Sequence, residues 1–213
     1  MTAVQKPELH SRCDQLRSLH RPGSPLLLPN VWDVATAKAV VAAGFPVVAT
    51  TSDGVATALG YEDHEGAPAD EMLAAAARIA RGVDVPVTVD AEAGYGMEPA
   101  DLVAALRNAG AAGCNLEDTD HAAGTLRDPD RHVEWIKEVR RAASDDGYRL
   151  VINARIDVYV GPFRAGAGRD VQQELLPEAV RRANAYLEAG ADCVYPIALW
   201  DTGALRRFTS EVP

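Results

Sequence analysis

Short apolar runs alternate along this chain with longer stretches in which apolar side chains recur every three or four residues. Leu26–Leu28, Pro46–Thr50, Pro86–Asp90, Gly113–Glu117, Leu150–Ala154 and Asp192–Pro196 read as six strands. The stretches between them predict helices at about 33–43, 70–81, 99–108, 132–142 and 176–188, with another opening at 202–208. Three helices close on Ala43-Gly44, Ala109-Gly110 and Ala189-Gly190, where glycine supplies a left-handed stop before the next strand. Strand–helix alternation at roughly 30-residue spacing predicts βαβ units and a parallel sheet. Leu9, Leu16 and Leu19 have partial helical spacing. The N-terminal stretch, about 6–20, is therefore either a helix able to plug one end of the structure or a frayed polar segment.

Two parallel architectures compete. A doubly wound sheet usually carries a glycine-rich phosphate cradle in its first turn, whereas here the first strand runs into Pro29-Asn30-Val31-Trp32-Asp33. A (β/α)8 barrel places polar side chains at many strand C-termini. This chain does so at Thr51 to Asp53, at Asp90 and Glu92, at Glu117 and Asp118, and at Arg155 and Asp157. The expected fold is an α/β (β/α)8 TIM-type barrel forming a single domain over 1–213, with β/α units from about residue 25 onward. Only six strands are legible, so the barrel is expected to be truncated after about six units.

The 213 residues are 47% hydrophobic, enough for a sizeable core. The net charge of −10 argues against nucleic acid or an anionic membrane as main partner. No apolar run reaches membrane-spanning length, and Met1 to His20 lacks a signal-peptide core, so a cytoplasmic protein is the expectation. Cys13, Cys114 and Cys193 form an odd set with no metal-ligand spacing, and Cys114 and Cys193, in expected strands, read as small core residues in a reducing compartment.

Candidate chemistry concentrates in Val87-Thr88-Val89-Asp90-Ala91-Glu92-Ala93-Gly94-Tyr95-Gly96. Strand side chains alternate faces, so acids spaced i, i+2 point the same way and repel unless a cation sits between them. The competing account has one acid solvated and the other capping the next helix. In a barrel, Asp90, Glu92, Glu117 and Asp63 converge on one mouth, with Arg155 as counter-charge. Mg²⁺, with Mn²⁺ as an alternative ion, keeps several waters and touches few carboxylates. Asp90 is then the direct ligand, with Glu92, Glu117 and Asp63 holding its waters. The alternative is a network of ion pairs capping strand ends.

The chain resembles the phosphoenolpyruvate mutase/isocitrate lyase superfamily. The resemblance lies in Leu28-Pro29-Asn30-Val31-Trp32-Asp33, Thr50–Ala56, Leu59-Gly60-Tyr61-Glu62-Asp63, Asp90–Gly96, Leu116-Glu117-Asp118 and Ala154-Arg155-Ile156-Asp157. Its most specific motif is Asp-x-(Asp/Glu)-x-Gly-(Tyr/Phe)-Gly. The resemblance implies a barrel, Mg²⁺, and a small anionic α-keto or α-hydroxy carboxylate that passes through an enolate or oxyanion. It implies metal binding at Asp90, supported by Glu92, Glu117 and Asp63, and substrate binding by Thr51, Ser52, Asp53 and Arg155. It also implies a homo-oligomer, tetramer or dimer.

The departures narrow the chemistry. Lyases of the superfamily carry a Lys-(Lys/Arg)-Cys-Gly-His gate after the fourth strand, where this chain reads Asp118-Thr119-Asp120-His121-Ala122-Ala123-Gly124. The cysteine is absent, as are the lysine and asparagine of the mutase and phosphonopyruvate hydrolase pattern. His121 is the one titratable base of suitable pKa in that loop, serving either as general acid or as a solvated histidine. Ile197 replaces the glutamate of methylisocitrate lyases. The segment 161–170 reads as a mobile rim loop, in which Arg164 or Arg169 either meets a distal acid of the substrate or is solvated. His132 and Trp135 read as packing residues. The expected activity is Mg²⁺-dependent C–C or P–C cleavage of lyase, hydrolase or mutase type, with Arg155, Glu117 and His121 as catalytic residues. The alternatives are a non-catalytic keto-acid binder and a metal-dependent aldolase.

Overall fold

A computed structural model describes residues 6–24 and 26–213. Met1 to Gln5 of the polar N-terminal stretch, and Pro25 at the expected start of the β/α units, lie outside the described residues. The main sheet has six parallel strands: β1 (Asn30–Val31), β2 (Val48–Thr50), β3 (Val87–Asp90), β4 (Gly113–Glu117), β7 (Val151–Ile156) and β8 (Cys193–Pro196). They neighbour one another in chain order, as in a barrel wall, and β1 and β8 are its two edges among the described residues. A two-stranded antiparallel hairpin, β5 (Thr119–Asp120) and β6 (Thr125–Leu126), stands above β4.

The helices are α1 (Lys6–Leu19), α2 (Val34–Ala42), α3 (Ser52–Leu59), α4 (Ala69–Gly82), α5 (Pro99–Ala109), α6 (Pro129–Asp145), α7 (Val160–Arg164), α8 (Arg169–Glu174), α9 (Leu176–Glu188) and α10 (Thr202–Glu211). Local chemistry starts several of them. Asp33 and Thr36 form a reciprocal capping box at α2. Asp128 accepts from the Arg131 amide at α6, followed by Pro129 in the first turn. Gly44, Gly110 and Gly190 all take left-handed φ, as the helix-stop pattern requires.

The expected first strand lies elsewhere. Leu26–Leu28 pairs with nothing, and the ladder begins at Asn30 and Val31, opposite Ala49 and Thr50. Leu26 and Leu28 pack on the core from an irregular segment while Leu27 is exposed, so their apolarity reflects burial without strand pairing. The segment 161–170 is not simply a loop. It holds α7 and the first turn of α8.

Register explains how the sheet serves two solvents. One face of each strand is apolar and covered by helices: Val89, Cys114, Leu116, Ile152, Ala154 and Ile156 are almost wholly buried. On the other face Asp90 pairs across to Asn115, and Asn115 to Asn153. One step further along, Glu117 pairs across to Arg155, and Arg155 to Tyr195. Paired residues of neighbouring strands share a face, so polar layers stack toward the strand C-termini.

Helix α1 covers the opposite end. Leu16 is buried against Gly113 at the start of β4, where an added Cβ would meet Leu16 Cδ2 at 2.7 Å and the Val151 carbonyl at 2.8 Å. Arg17 donates to the carbonyls of Arg149 and Leu150 and to Asp192. The plug anticipated from the leucine spacing is thus a packed helix. Cys13 on α1 and Cys114 on β4 are buried free thiols, and Cys193 is a half-buried one.

His132 on α6 is fully buried between Trp135 (ring centroids 5.6 Å apart) and Tyr186 (4.9 Å), and neither ring nitrogen has a hydrogen-bond partner. Burial, reinforced by Arg127 and Arg182, pulls its pKa from 6.5 to about 3. The folded protein therefore keeps His132 neutral, while the unfolded chain takes up a proton below pH 6.5. Its contribution to stability is full above that pH and falls as the pH drops toward 3, by about 2 kcal/mol between pH 7 and pH 5. Urea denaturation at those two pH values tests this: His132→Leu is expected to remove about 2 kcal/mol of the acid destabilisation, and an unchanged pH dependence contradicts it.

Candidate active site

The strand C-termini carry the site. Asp90 closes β3, with Oδ2 accepting from the Ser52 amide at 3.1 Å. That bond ties β3 to the first turn of α3. Glu92 lies just past the strand, and its φ of 47° puts it in the left-handed region. Strand alternation therefore does not aim it. A turn does, while its Oε2 accepts from the Glu65 amide at 2.5 Å. Glu65 Oε1 in turn accepts from the Tyr95 amide at 2.6 Å. His64 and Glu65 have φ of 66° and 58°, so the 62–66 loop is held in a costly conformation by its contacts with the acid cluster.

Glu117, almost fully buried at the end of β4, is the hub. Its Oε2 pairs with Arg155 Nη2, and its Oε1 lies 2.6 Å from His121 Nε2 without hydrogen-bond alignment. Burial raises the Glu117 pKa, against the pull of His121 and Arg155. The Glu117 carboxylate in turn raises His121 above 6.5. Glu92 rises to about 7, through burial first and then repulsion from Asp63, Asp90 and Glu117, with the Glu65 amide opposing. Asp63 Oδ1 is buried without a hydrogen-bond partner.

Arg155 is fixed on its other side. Asp157 accepts from Nε at 2.7 Å and from Nη2 at 2.8 Å. Asp157 itself is anchored by the Thr119 hydroxyl, and its amide donates to Asp118 Oδ1 at 2.8 Å. Asp118, fully buried, accepts at Oδ2 from Tyr186 and Arg182 on α9. Asp118 thereby locks β4, β7 and α9 together beneath the site.

A cleft of about 380 Å³ is lined by Glu117, Arg155 and Asp157, by His121 and the β5–β6 hairpin, and by His64 and Arg164. A larger groove of about 740 Å³ lies outside the helix ring between α5 and α6, where Arg107 and Asp146 pair with each other. It shares no residue with the strand ends, so the smaller cleft is the candidate site.

The sequence-predicted residues are brought together. Asp63, Asp90, Glu92 and Glu117 surround one another closely enough to shift Glu92, and Thr51, Ser52 and Asp53 form the cap and first turn of α3 beside Asp90. Arg155 and His121 both meet Glu117. Arg169 is elsewhere, paired with Asp201 at 2.8 Å. Sequence reasoning missed His64, Glu65 and the clamp on Arg155, although the i, i+2 spacing of Arg155 and Asp157 signalled a shared face. Among the described residues no three His, Cys, Asp or Glu side chains are poised to ligate one ion together. The donor set fits an ion touched by one or two carboxylates and held by others through water, the habit of Mg²⁺. The unpartnered Asp63 Oδ1 and the crowding of Asp63, Asp90 and Glu117 around Glu92 are compatible with such an ion.

The phosphoenolpyruvate phosphomutase family model matches residues 16–213. The chain belongs to that family. An uncharacterised Mycobacterium tuberculosis H37Rv protein is 35% identical over 198 residues, covering 92% of this chain and 69% of that protein. A 2-methylisocitrate lyase of Escherichia coli K12 is 29% identical over 210 residues, covering 92% of this chain and 69% of the lyase. Among solved structures, a provisionally named phosphonomutase from Burkholderia cenocepacia J2315 superposes with a TM-score of 0.86 at 40% identity, covering 95% of this chain and 81% of the other. The family's barrel-like architecture agrees with the parallel wall and its polar strand ends. No helix among the described residues is long and apolar enough to cross a membrane.

Within this family member the Asp118 lock is structural. Asp118→Ala removes the buried carboxylate facing the Arg182 cation and leaves it the partly exposed Glu178, the Arg127 carbonyl and the Tyr186 hydroxyl, and is expected to cost about 3 kcal/mol of unfolding free energy. Asp130→Ala, on the exposed first turn of α6, is expected to cost under about 0.5 kcal/mol. Equal losses for the two in urea denaturation contradict the lock.

Proposed function

We propose that this chain is a Mg²⁺-dependent enzyme that cleaves a C–C or P–C bond next to the carboxylate of a small α-keto or α-hydroxy acid. The observation that carries the reading is the gathering of four carboxylates, one clamped guanidinium and one helix N-terminus at a single rim. Such a concentration of acid has a cost without a cation, and an arginine fixed inside it faces developing negative charge. The relatives named as 2-methylisocitrate lyase and phosphonomutase support the reaction class.

A bound Mg²⁺, touched by Asp90 and held through water by Glu92, Glu117 and Asp63, would supply Lewis-acid polarisation of the substrate's carboxylate and neighbouring oxygen. The first turn of α3 binds the carboxylate. Ser52 already gives its amide to Asp90, which leaves the Asp53 amide and the Thr51 hydroxyl for the substrate. When the bond breaks, its electron pair passes into an enolate whose oxygen Arg155 stabilises, while the other fragment becomes a carbonyl as its own hydroxyl gives up a proton to solvent, or is captured by water. Asp157 and Glu117 keep the guanidinium from swinging away, so it needs no reorganisation at that moment. His121 holds at Nε2 the proton that the new carbanion takes up, and the neighbouring Glu117 carboxylate favours the protonated imidazole. His121 thus takes the place of the missing gate cysteine. The enzyme is proposed to work in the cytoplasm as a homo-oligomer.

The test is an NMR assay of oxaloacetate, phosphonopyruvate, 2-methylisocitrate and 2,3-dimethylmalate with Mg²⁺, with Mn²⁺ and with EDTA. Turnover of at least one is expected with either ion, lost in EDTA and reduced about 100-fold or more by Asp90→Ala. Mg²⁺-dependent binding of a keto acid without turnover would make the protein a binder. Exchange of pyruvate methyl protons dependent on an aldehyde would make it an aldolase.

A further inference from the structure

The floor of the cleft and its mouth have opposite electrostatic character. The floor is lined by Glu117, Asp157 and Arg155, and Glu117 connects it to the neighbouring acids Asp63, Asp90 and Glu92. The mouth carries His121, His64 and Arg164, connected by successive contacts from the floor upward. His121 meets Glu117 below it. His64 stacks on His121, with ring centroids 5.4 Å apart and planes at 27°. Arg164, the last residue of α7, places Nη2 3.0 Å from His64 Nε2. A guanidinium has only donors, so in this contact His64 Nε2 is the acceptor. Among the hydrogen bonds and ion pairs of the described residues, Arg164 has no carboxylate partner, whereas Arg155 is held by both Glu117 and Asp157.

This arrangement is built into the backbone. His64 stands at a left-handed φ of 66° next to Glu65, whose amide is gripped by Glu92. The strained loop that supports the acid cluster is therefore the same loop that aims His64 at Arg164. Helix α7 is fixed from the other end, because it follows directly on Asp157 and the Val160 amide donates to the Asp157 carbonyl at 2.9 Å. The cation at the mouth is thus registered against the floor through two connections, one through Glu92 and one through Asp157.

We propose that Arg164, steadied by His64, is a second anion subsite, so that the substrate carries an acidic group at each end. One end lies on the floor among Arg155, the α3 N-terminus and the metal acids, and the other reaches the mouth. The idea rests on the carboxylate reading of the floor given above and assigns to Arg164 the distal acid of a dicarboxylate or phosphono-carboxylate. An arginine with free donors suits either group, because both accept its paired N–H bonds. Arg164 acts on specificity and binding, with no part in bond breaking.

Calorimetric titration of the full chain in Mg²⁺ with oxalate, lactate and malate tests the subsite. Lactate and malate share the α-hydroxy acid end and differ by malate's distal carboxylate. Wild-type protein is expected to bind malate more tightly than lactate. Arg164→Gln is expected to weaken malate about tenfold while leaving oxalate and lactate unchanged, and Arg164→Lys to recover part of the loss. Equal weakening of all three by Arg164→Gln would mean a general structural role and overturn the subsite, as would unchanged malate binding. Wild-type protein that binds oxalate only without Mg²⁺, or not at all, would overturn the floor assignment and the subsite with it.

Discussion

Carboxylates repel one another most strongly where water is scarce, and Asp63, Asp90, Glu92 and Glu117 stand together at the water-poor end of a parallel sheet. Much of the surrounding structure answers that repulsion. Arg155 is drawn down onto Glu117 and held there by Asp157. Backbone amides from Ser52 and Glu65 are turned toward Asp90 and Glu92. Residues 64 and 65 accept left-handed geometry to deliver one of those amides. Beneath the rim, Asp118 takes three hydrogen bonds from β7 and α9, so the strand ends cannot spread to relieve the crowding. Asp63 Oδ1 is left without a hydrogen-bond partner and Glu92 is met by one backbone amide, and these are the oxygens we propose a divalent cation draws together.

Much of this was legible in the sequence for a definite reason. The strands β3, β4 and β7 bury one face against helices and carry their polar residues inward near the C-terminal ends, so both periodicity and chemistry mark them. The first strand misled because Leu26 and Leu28 are buried without pairing. Helix α3 was hidden inside Thr50–Ala56, whose Ser, Thr and Gly residues are weak helix formers. Gly54 is needed there because an added Cβ would lie 2.7 Å from Thr51 Cγ2 and 3.2 Å from Trp32 Cβ. The β5–β6 hairpin is short and polar, and no apolar pattern announces it. Glu92 was assigned to the right cluster by an argument from strand alternation that its turn geometry does not support.

The family relationship and the physical reading meet at the same residues. Family membership accounts for the barrel wall and the acid-rich turn after β3. It leaves open what distinguishes this member, which lacks the gate cysteine of the lyases. Here the hairpin after β4 offers His121, paired with Glu117, and the loop after β2 offers His64 beside Arg164. We propose that His121 supplies the proton and that Arg164, beside His64, meets the far end of the substrate.

The account stands or falls on the ion at the acid cluster. A crystal structure grown with Mn²⁺ and oxalate, read by the anomalous signal of manganese, places it directly. One manganese is expected at about 2.1–2.2 Å from the Asp90 carboxylate, with Glu92, Glu117 and Asp63 one water further out and oxalate between the metal and Arg155. Manganese bound elsewhere, or absent while oxalate still sits against Arg155, would contradict it.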